Sequence, residues 1–209
     1  MQRPCLRDAS PRELLIQEAQ TCRLCPRMRK SRRVLSDLNG DWNSKVLFVA
    51  EAPGRLGADI TGIPLYGDRT GGRFEELLKA MKWSRSSVFV TNAVLCNPRD
   101  LDGNNDKPLP TELDNCCGFL KRTLVVVDPT LVIALGRVAL DSLGKVHPHA
   151  RTINGCCGTV VPWGERFLGV LYHPSPRTQT QRTWKQQIAD AKSVSSFARQ
   201  LGIGGNLRR

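Results

Sequence analysis

Four short apolar runs, Lys45–Ala50, Ser87–Leu95, Leu131–Leu135 and Phe167–Tyr172, punctuate a chain whose intervening segments carry helical periodicity. Runs this short, rich in Val, Ile, Leu and Phe and closed by polar or glycine-rich residues, have the pattern of strands buried on both faces. Between them, Thr70–Trp83 repeats apolar residues at Phe74, Leu77, Leu78 and Met81, and Pro110–Val127 and Gly136–Leu143 also read as helices. Pro11–Gln20, with Ser10 as N-cap and Pro11 in the first position, is the first helix, and Trp184–Leu201 is the last. Alternating strand and helix predicts a three-layer α/β/α fold around a central, mostly parallel sheet, here of four strands. The 209 residues suffice for one such domain, and no repeat or long linker divides them.

In an open parallel sheet, ligands bind beyond the carboxyl ends of the strands. Four loops fall on that edge: Glu51–Gly72, Asn92–Pro110, Gly136–Arg137 and His173–Arg182. The polar and glycine-rich residues of the chain collect in them. Lys and Arg number 31 against 19 Asp and Glu, a net charge of +12. Such a charge on a small chain suits a polyanionic partner, nucleic acid above all, although a solvated basic surface is the plainer account.

Met1–Ser10 lacks the apolar stretch of a secretory signal, and no run approaches the ~18 apolar residues of a membrane span. The expectation is a protein of the cytoplasm, without a membrane partner, in a reducing compartment. There, clustered cysteines point to metal or redox chemistry rather than to disulfides. Eight cysteines stand at 5, 22, 25, 96, 116, 117, 156 and 157. Cys22 and Cys25 form a CxxC chelating pair, and Cys96 and Cys116 lie in or beside loops. Four such thiolates suit a [4Fe–4S] cluster or a zinc ion, while a redox pair is the simpler reading of CxxC alone. Cys5, Cys117, Cys156 and Cys157 carry no assigned role.

Three further segments carry chemistry. In Glu51-Ala-Pro-Gly54, Gly54 and Gly57 permit a tight turn and close backbone approach. The phosphate-loop pattern GxxxxGK[ST] is absent from it. The polar loop Gly62–Gly71 leads into a helix with Asp68 near its start, where a carboxylate also serves as a simple N-cap. His173-Pro-Ser-Pro176 holds a histidine rigidly beyond the last strand. His147 and His149 flank Pro148 in a surface loop and are given no role.

Taken together these motifs resemble the uracil-DNA glycosylase superfamily, in particular its iron–sulfur branches, families 4 and 5. Family 4 carries CxxC, GE-x-PG, G-x-PF-x-G, TN-x-V-x-C, E-x-x-x-C-x-x-FL and HPS. The chain reads Cys22–Cys25, Glu51–Gly54, Gly62-Ile-Pro-Leu-Tyr-Gly67, Thr91-Asn-Ala-Val-Leu-Cys96, Glu112 to Cys116 and on to Phe119-Leu120, and His173-Pro-Ser175. The register to Phe119-Leu120 favours Cys116 over Cys117 as the fourth cysteine. Thr61-Gly62 and Gly67-Asp68-Arg-Thr-Gly71 look instead like the corresponding stretch of family 5, whose aspartate is the proposed catalytic residue. The segment from Cys96 to Cys116 is longer than is usual in family 4, around Leu101–Asp106. Leu65 replaces the aromatic that stacks on the base in both families, with Tyr66 as a possible substitute.

The resemblance implies a monomeric DNA-repair enzyme, one domain over residues 1–209 with an N-terminal iron–sulfur-binding segment. It would act in the prokaryotic cytosol and nucleoid, flipping out uracil or a related deaminated base and hydrolysing its N-glycosidic bond. Cys22, Cys25, Cys96 and Cys116 would hold a [4Fe–4S] cluster. Asp68 is the candidate catalytic carboxylate, with Glu51 as the other choice, and His173 the candidate donor to the leaving base. Asn92, which offers an acceptor and a donor, Ala52, Leu65 and Tyr66 would line the base pocket. Ala52 stands where other families carry a catalytic Asp or Asn. Ser175, Arg177 and Arg182, with the basic loop Arg23–Arg33, would meet the DNA backbone. Three other readings stay open: a non-catalytic lesion sensor of the same superfamily, favoured by Leu65 and Ala52; an iron–sulfur redox carrier; and a zinc-stabilised α/β protein.

Overall fold

The computed structural model describes residues 9–203. The first eight residues of the Met1–Ser10 segment, and Cys5 among them, lie outside the described residues. Helix α1 (Pro11–Thr21) starts as expected: Ser10 and Glu13 close a reciprocal capping box, and Pro11 takes the first position. Strands β1 (Val46–Ala50), β2 (Phe89–Asn92) and β3 (Leu131–Leu135) are buried along their whole length. Helices α2 (Ala58–Thr61), α3 (Arg69–Met81), α4 (Pro110–Val127), α5 (Arg137–Val146) and α6 (Ile153–Cys156) follow the chain between and after them. Strands β4 (Val160–Trp163) and β5 (Arg166–Leu171) precede the last helix, α7 (Trp184–Gln200).

The sheet runs β2-β1-β3-β5-β4. β1 pairs in parallel with β2 and β3, and β3 with β5, whereas β4 lies antiparallel to β5. The sheet thus has five strands, one more than expected. Pro162 sits inside the added strand, β4, and argues against a strand when read alone. A proline cannot donate to a ladder, and β4 tolerates it because it is an edge strand paired on one side only.

Strand periodicity sends alternate residues to opposite faces. Leu47, Val49, Val132, Ala134, Leu168 and Val170 pack under α1, α4 and α5, against Leu15, Leu120, Leu124 and Leu140. Val46, Phe48, Ala50, Ile133 and Leu135 face α3 and α7, against Phe74, Leu77, Leu78, Met81 and Val194. The three parallel crossovers put the carboxyl ends of β2, β1, β3 and β5 on one edge. None of the described helices is long and apolar enough to cross a membrane.

Candidate active site and cysteine cluster

The carboxyl edge gathers five of the singled-out residues from four chain segments. Asn92 is the last residue of β2 and pairs with Ala50, so it stands beside Glu51 and Ala52 at the end of β1. The Ala93 N–H donates to Ala50 O at 2.8 Å and Val94 N–H to Glu51 O at 3.2 Å, which extends the ladder to the mouth of the site. His173 lies two residues beyond β5, with its Cβ against the turn at Gly136 that follows β3. A Cβ on Gly136 would come within 3.1 Å of it, and this residue has a φ of +92°. Asp68 reaches the edge from the long loop after β1.

Asp68 N-caps α3, its Oδ1 accepting from Gly71 N–H at 2.8 Å. Its other oxygen is packed on the Gly54–Gly57 turn. A Cβ at Gly54 would lie 2.8 Å from Oδ2, and one at Gly57 only 2.6 Å away. These two glycines are therefore needed for close approach of the carboxylate to the backbone. The Asp68 charge reaches His173. Burial drives the His173 imidazole down to about 4, and the Asp68 carboxylate opposes this only in part. The ring is therefore neutral at pH 7. Glu51 is shifted the other way: burial raises its carboxyl, with Lys107 pulling it down.

Asn92 is 2% exposed, and neither its Oδ1 nor its Nδ2 finds a hydrogen-bond partner. Buried amides without partners are rare, because each unmade bond carries the cost of desolvation. Leu65 joins the apolar cluster of Ala50 and Phe74 at the α3 face of the sheet. Its φ of +51° is uncommon for a leucine. Arg85 holds the turn, donating to Pro64 O and Leu65 O at 2.8 Å each. Tyr66 is exposed, with the Arg85 guanidinium 5.8 Å from its ring centroid. The structure thus buries Leu65 and leaves the Tyr66 ring at the surface.

The seven described cysteines are all free thiols. Cys25 and Cys116 are buried, Cys22 and Cys96 partly so. Burial pushes the Cys116 thiol up to about 12 and Cys96 up to about 11. Cys22 and Cys25 add to both shifts, and Cys96 adds to that of Cys116, so Cys116 feels the three other members of the set and Cys96 two of them. The backbone explains the convergence. Val34 N–H donates to Leu95 O at 2.8 Å, and Ser31 Oγ to Asn97 O at 2.8 Å, which straps the CxxC segment along the loop that carries Cys96. Asn115, next to Cys116 on α4, donates to Cys25 Sγ at 3.5 Å. Among the described residues, no group of three or more His, Cys, Asp or Glu is gathered closely enough to hold a single metal ion. Burial disfavours the thiolate at Cys96 and Cys116, so any centre bound through them would have to supply compensating positive charge.

The DNA-contact candidates divide. Arg177 is exposed on the turn Pro176–Thr180, which Ser175 caps by accepting from Arg177 N–H at 3.3 Å. Arg182 is tied down. Its Nε and Nη2 donate to both oxygens of Asp190, at 2.6 and 2.5 Å, and Asp190 is buried. In the basic loop, Arg33 donates to Cys22 O, Arg29 O and Ser31 O, and Arg32 to Asp59 O, whereas Arg29 and Lys30 are exposed. Arg27, counted by sequence among the DNA-facing cations of this loop, is turned inward instead. Its Nε and Nη2 donate to the two oxygens of buried Glu112 at 2.7 and 2.8 Å. Its Nη1 donates to Asp106 Oδ2 at 2.7 Å, and Nη2 also to Lys107 O at 2.6 Å. The available signal was Glu112 itself, one helical turn before Cys116 and in need of a cation if buried.

Comparison with known proteins bears on this edge. A family model described as the uracil DNA glycosylase superfamily matches residues 38–194. The chain is 27% identical to the type-4 uracil-DNA glycosylase of Archaeoglobus fulgidus, over 88% of this chain and 91% of that protein. It is 32% identical to the type-4 enzyme of Pyrobaculum aerophilum, over 75% of this chain and 79% of the other. A type-5 uracil-DNA glycosylase, from Thermus thermophilus, is 28% identical over 86% of this chain and 94% of its own length. With three quarters of its length under the family model and relatives of both types along most of the rest, the chain belongs to the uracil-DNA glycosylase superfamily.

Proposed function

We propose that this chain excises uracil from DNA by hydrolysing its N-glycosidic bond, at the edge formed by Glu51, Asp68, Asn92 and His173. The observation that carries the reading is Asn92: a buried amide whose acceptor and donor are both unmet. A pyrimidine edge offers the complementary donor and acceptor, so a flipped base would supply both missing bonds. Leu65 brings no aromatic face to stack on the base and Ala52 no polar group to bond it, so positioning falls more heavily on Asn92.

Bond cleavage leaves positive charge on the sugar and negative charge on the departing base. Asp68 stands as the carboxylate near the sugar or its attacking water, with Glu51 the alternative, and neutral His173 donates to the base oxygen. Ser175 and Arg177 meet the backbone of the DNA. Arg182 serves this loop by anchoring it to Asp190. Cys22, Cys25, Cys96 and Cys116 would hold a [4Fe–4S] cluster, which ties the N-terminal segment to the rest of a single domain. The protein works as a monomer in the cytoplasm, on chromosomal DNA.

The test is base release from oligonucleotides carrying uracil opposite G, uracil opposite A, uracil in single strands, and hypoxanthine, with the Asn92→Leu variant alongside. Release of uracil by the wild type, lost in Asn92→Leu without loss of melting temperature, is the expected result. Binding without release on every substrate would instead support a lesion sensor.

A further inference from the structure

The loop Asn97–Lys107 lies between the cysteine segment and the turn that carries Glu51, and it is bonded to both. On one side stands Arg27, two residues after Cys25. Besides Glu112, Asp106 and Lys107, it donates to Arg99 O at 3.3 Å. On the other side are two asparagines. Asn97, buried, donates to Pro53 O at 2.6 Å and to Asn105 Oδ1 at 2.9 Å. The same Asn105 oxygen accepts from Arg55 N–H at 2.9 Å. Arg99 adds a lateral brace, pairing with Asp59 of α2. The hydrogen bonds thus form one path: Cys25 segment, Arg27, loop backbone, Asn105 and Asn97, then Pro53 and Arg55.

This path explains otherwise wasteful features. A buried Glu112 needs a partner, yet a lysine would neutralise it with one bond. The planar fork of an arginine is required because Glu112 is held bidentately while Asp106 and two loop carbonyls are gripped at the same time. We propose that Arg27 is a positioning residue of the excision site: by clamping the Asn97–Lys107 loop it fixes, through Asn97 and Asn105, the backbone of the Glu51–Arg55 turn. The clamp also sets where Lys107 stands, and Lys107 is the charge whose field reaches Glu51. The inference rests on the reading that this edge excises uracil, and its test separates the two.

The direct readout is hydrogen exchange at the Arg55 amide, which needs no substrate. In Arg27→Gln, protection at Arg55 is expected to fall about tenfold, the size of an ordinary coupling between sites. Asn105→Ala should cause the same loss, and the double variant should be no worse than either, because both cut one path. Single-turnover uracil release should fall in parallel, with affinity for uracil-free DNA unchanged. Arg122→Gln, which breaks an exposed pair with Glu18, is the control and should leave Arg55 untouched. Should Arg27→Gln fail to fold, Asp106→Ala cuts the exposed arm of the same clamp and should show a smaller effect of the same kind. Unchanged exchange at Arg55 in Arg27→Gln or Asp106→Ala, or additive losses in the double variant, would overturn the proposal. A wild type that releases no uracil but shows the coupled exchange would overturn the functional reading and leave the clamp standing.

Discussion

Ser175 donates its backbone N–H to Nδ1 of His173 at 3.3 Å. That bond assigns the neutral ring its tautomer: with Nδ1 accepting, the proton resides on Nε2. Thr178 supports the arrangement from behind, its hydroxyl donating to His173 O at 2.8 Å. A neutral imidazole with its Nε2 proton available is the form suited to donate to a developing oxyanion.

The pH dependence follows from that burial. His173 titrates at about 4 in the folded protein, below the 6.5 of an unhindered imidazole. Between these values the unfolded chain binds more protons, so stability rises with pH through this window and is lost as pH falls through it. Urea denaturation of wild type and His173→Gln at pH 4 to 8 should show the rise in the wild type and a flatter profile in the variant. Equal slopes would mean that the ring is not held neutral by burial. His173→Ala should also slow uracil release by on the order of a hundredfold, through loss of the donor.

Asp68→Asn is expected to cut release by about a hundredfold or more, the range for loss of a positioned acid–base group. Asn retains the acceptor that caps α3 at Gly71, so the melting temperature should barely move. Single-turnover kinetics beside a thermal melt make the check. Full activity in Asp68→Asn would shift the assignment to Glu51. Full activity in both Asp68→Asn and Glu51→Gln would dismiss a carboxylate mechanism.

Purified protein should be brown and carry about four irons per chain, the stoichiometry of one [4Fe–4S] cluster. Alanine at Cys22, Cys25, Cys96 or Cys116 should each remove iron and solubility, while Cys117→Ala should keep both. Colourless protein with one zinc would contradict the assignment.

The two arginines after His173 should separate cleanly. Arg177→Ala should weaken DNA binding at every sequence and lower the slope of affinity against salt by about one, as for one lost phosphate contact. Arg182→Ala should instead destabilise the fold by about 3 kcal/mol, because it strands a buried Asp190 carboxylate. Salt titrations of binding, with denaturation of each variant, distinguish them. A stable Arg182→Ala that binds DNA poorly would return Arg182 to the DNA contacts.

What the sequence makes legible is local. The spacing of Phe74, Leu77, Leu78 and Met81 marks α3, and the strand runs locate the edge on which Asn92, Glu51 and His173 meet. β4 is hidden because Pro162 speaks against a strand until its partner is known to lie on one side alone. Arg182 reads as a free cation in a loop, and only the fold brings Asp190 under it. Arg27 also reads as one more cation of the basic loop: its partners Glu112 and Asp106 stand roughly 80 residues away, and no periodicity links them. The buckle at Leu65 is likewise set by Arg85, twenty residues on.

The proline in β4 has a consequence for how the molecule behaves in a crowded solution. A sheet that ends in a strand of open N–H and C=O groups invites a second molecule to add its own strand, which is the first step toward aggregation. Pro162 removes a donor from that outer ladder, and the strand is only four residues long. At the opposite margin β2 is just as short, and Gly40 closes on Phe89 through an antiparallel bridge. Both margins are thus poor templates for cross-molecule pairing, which protects the chain's solubility at the sides of the sheet while its carboxyl edge stays open.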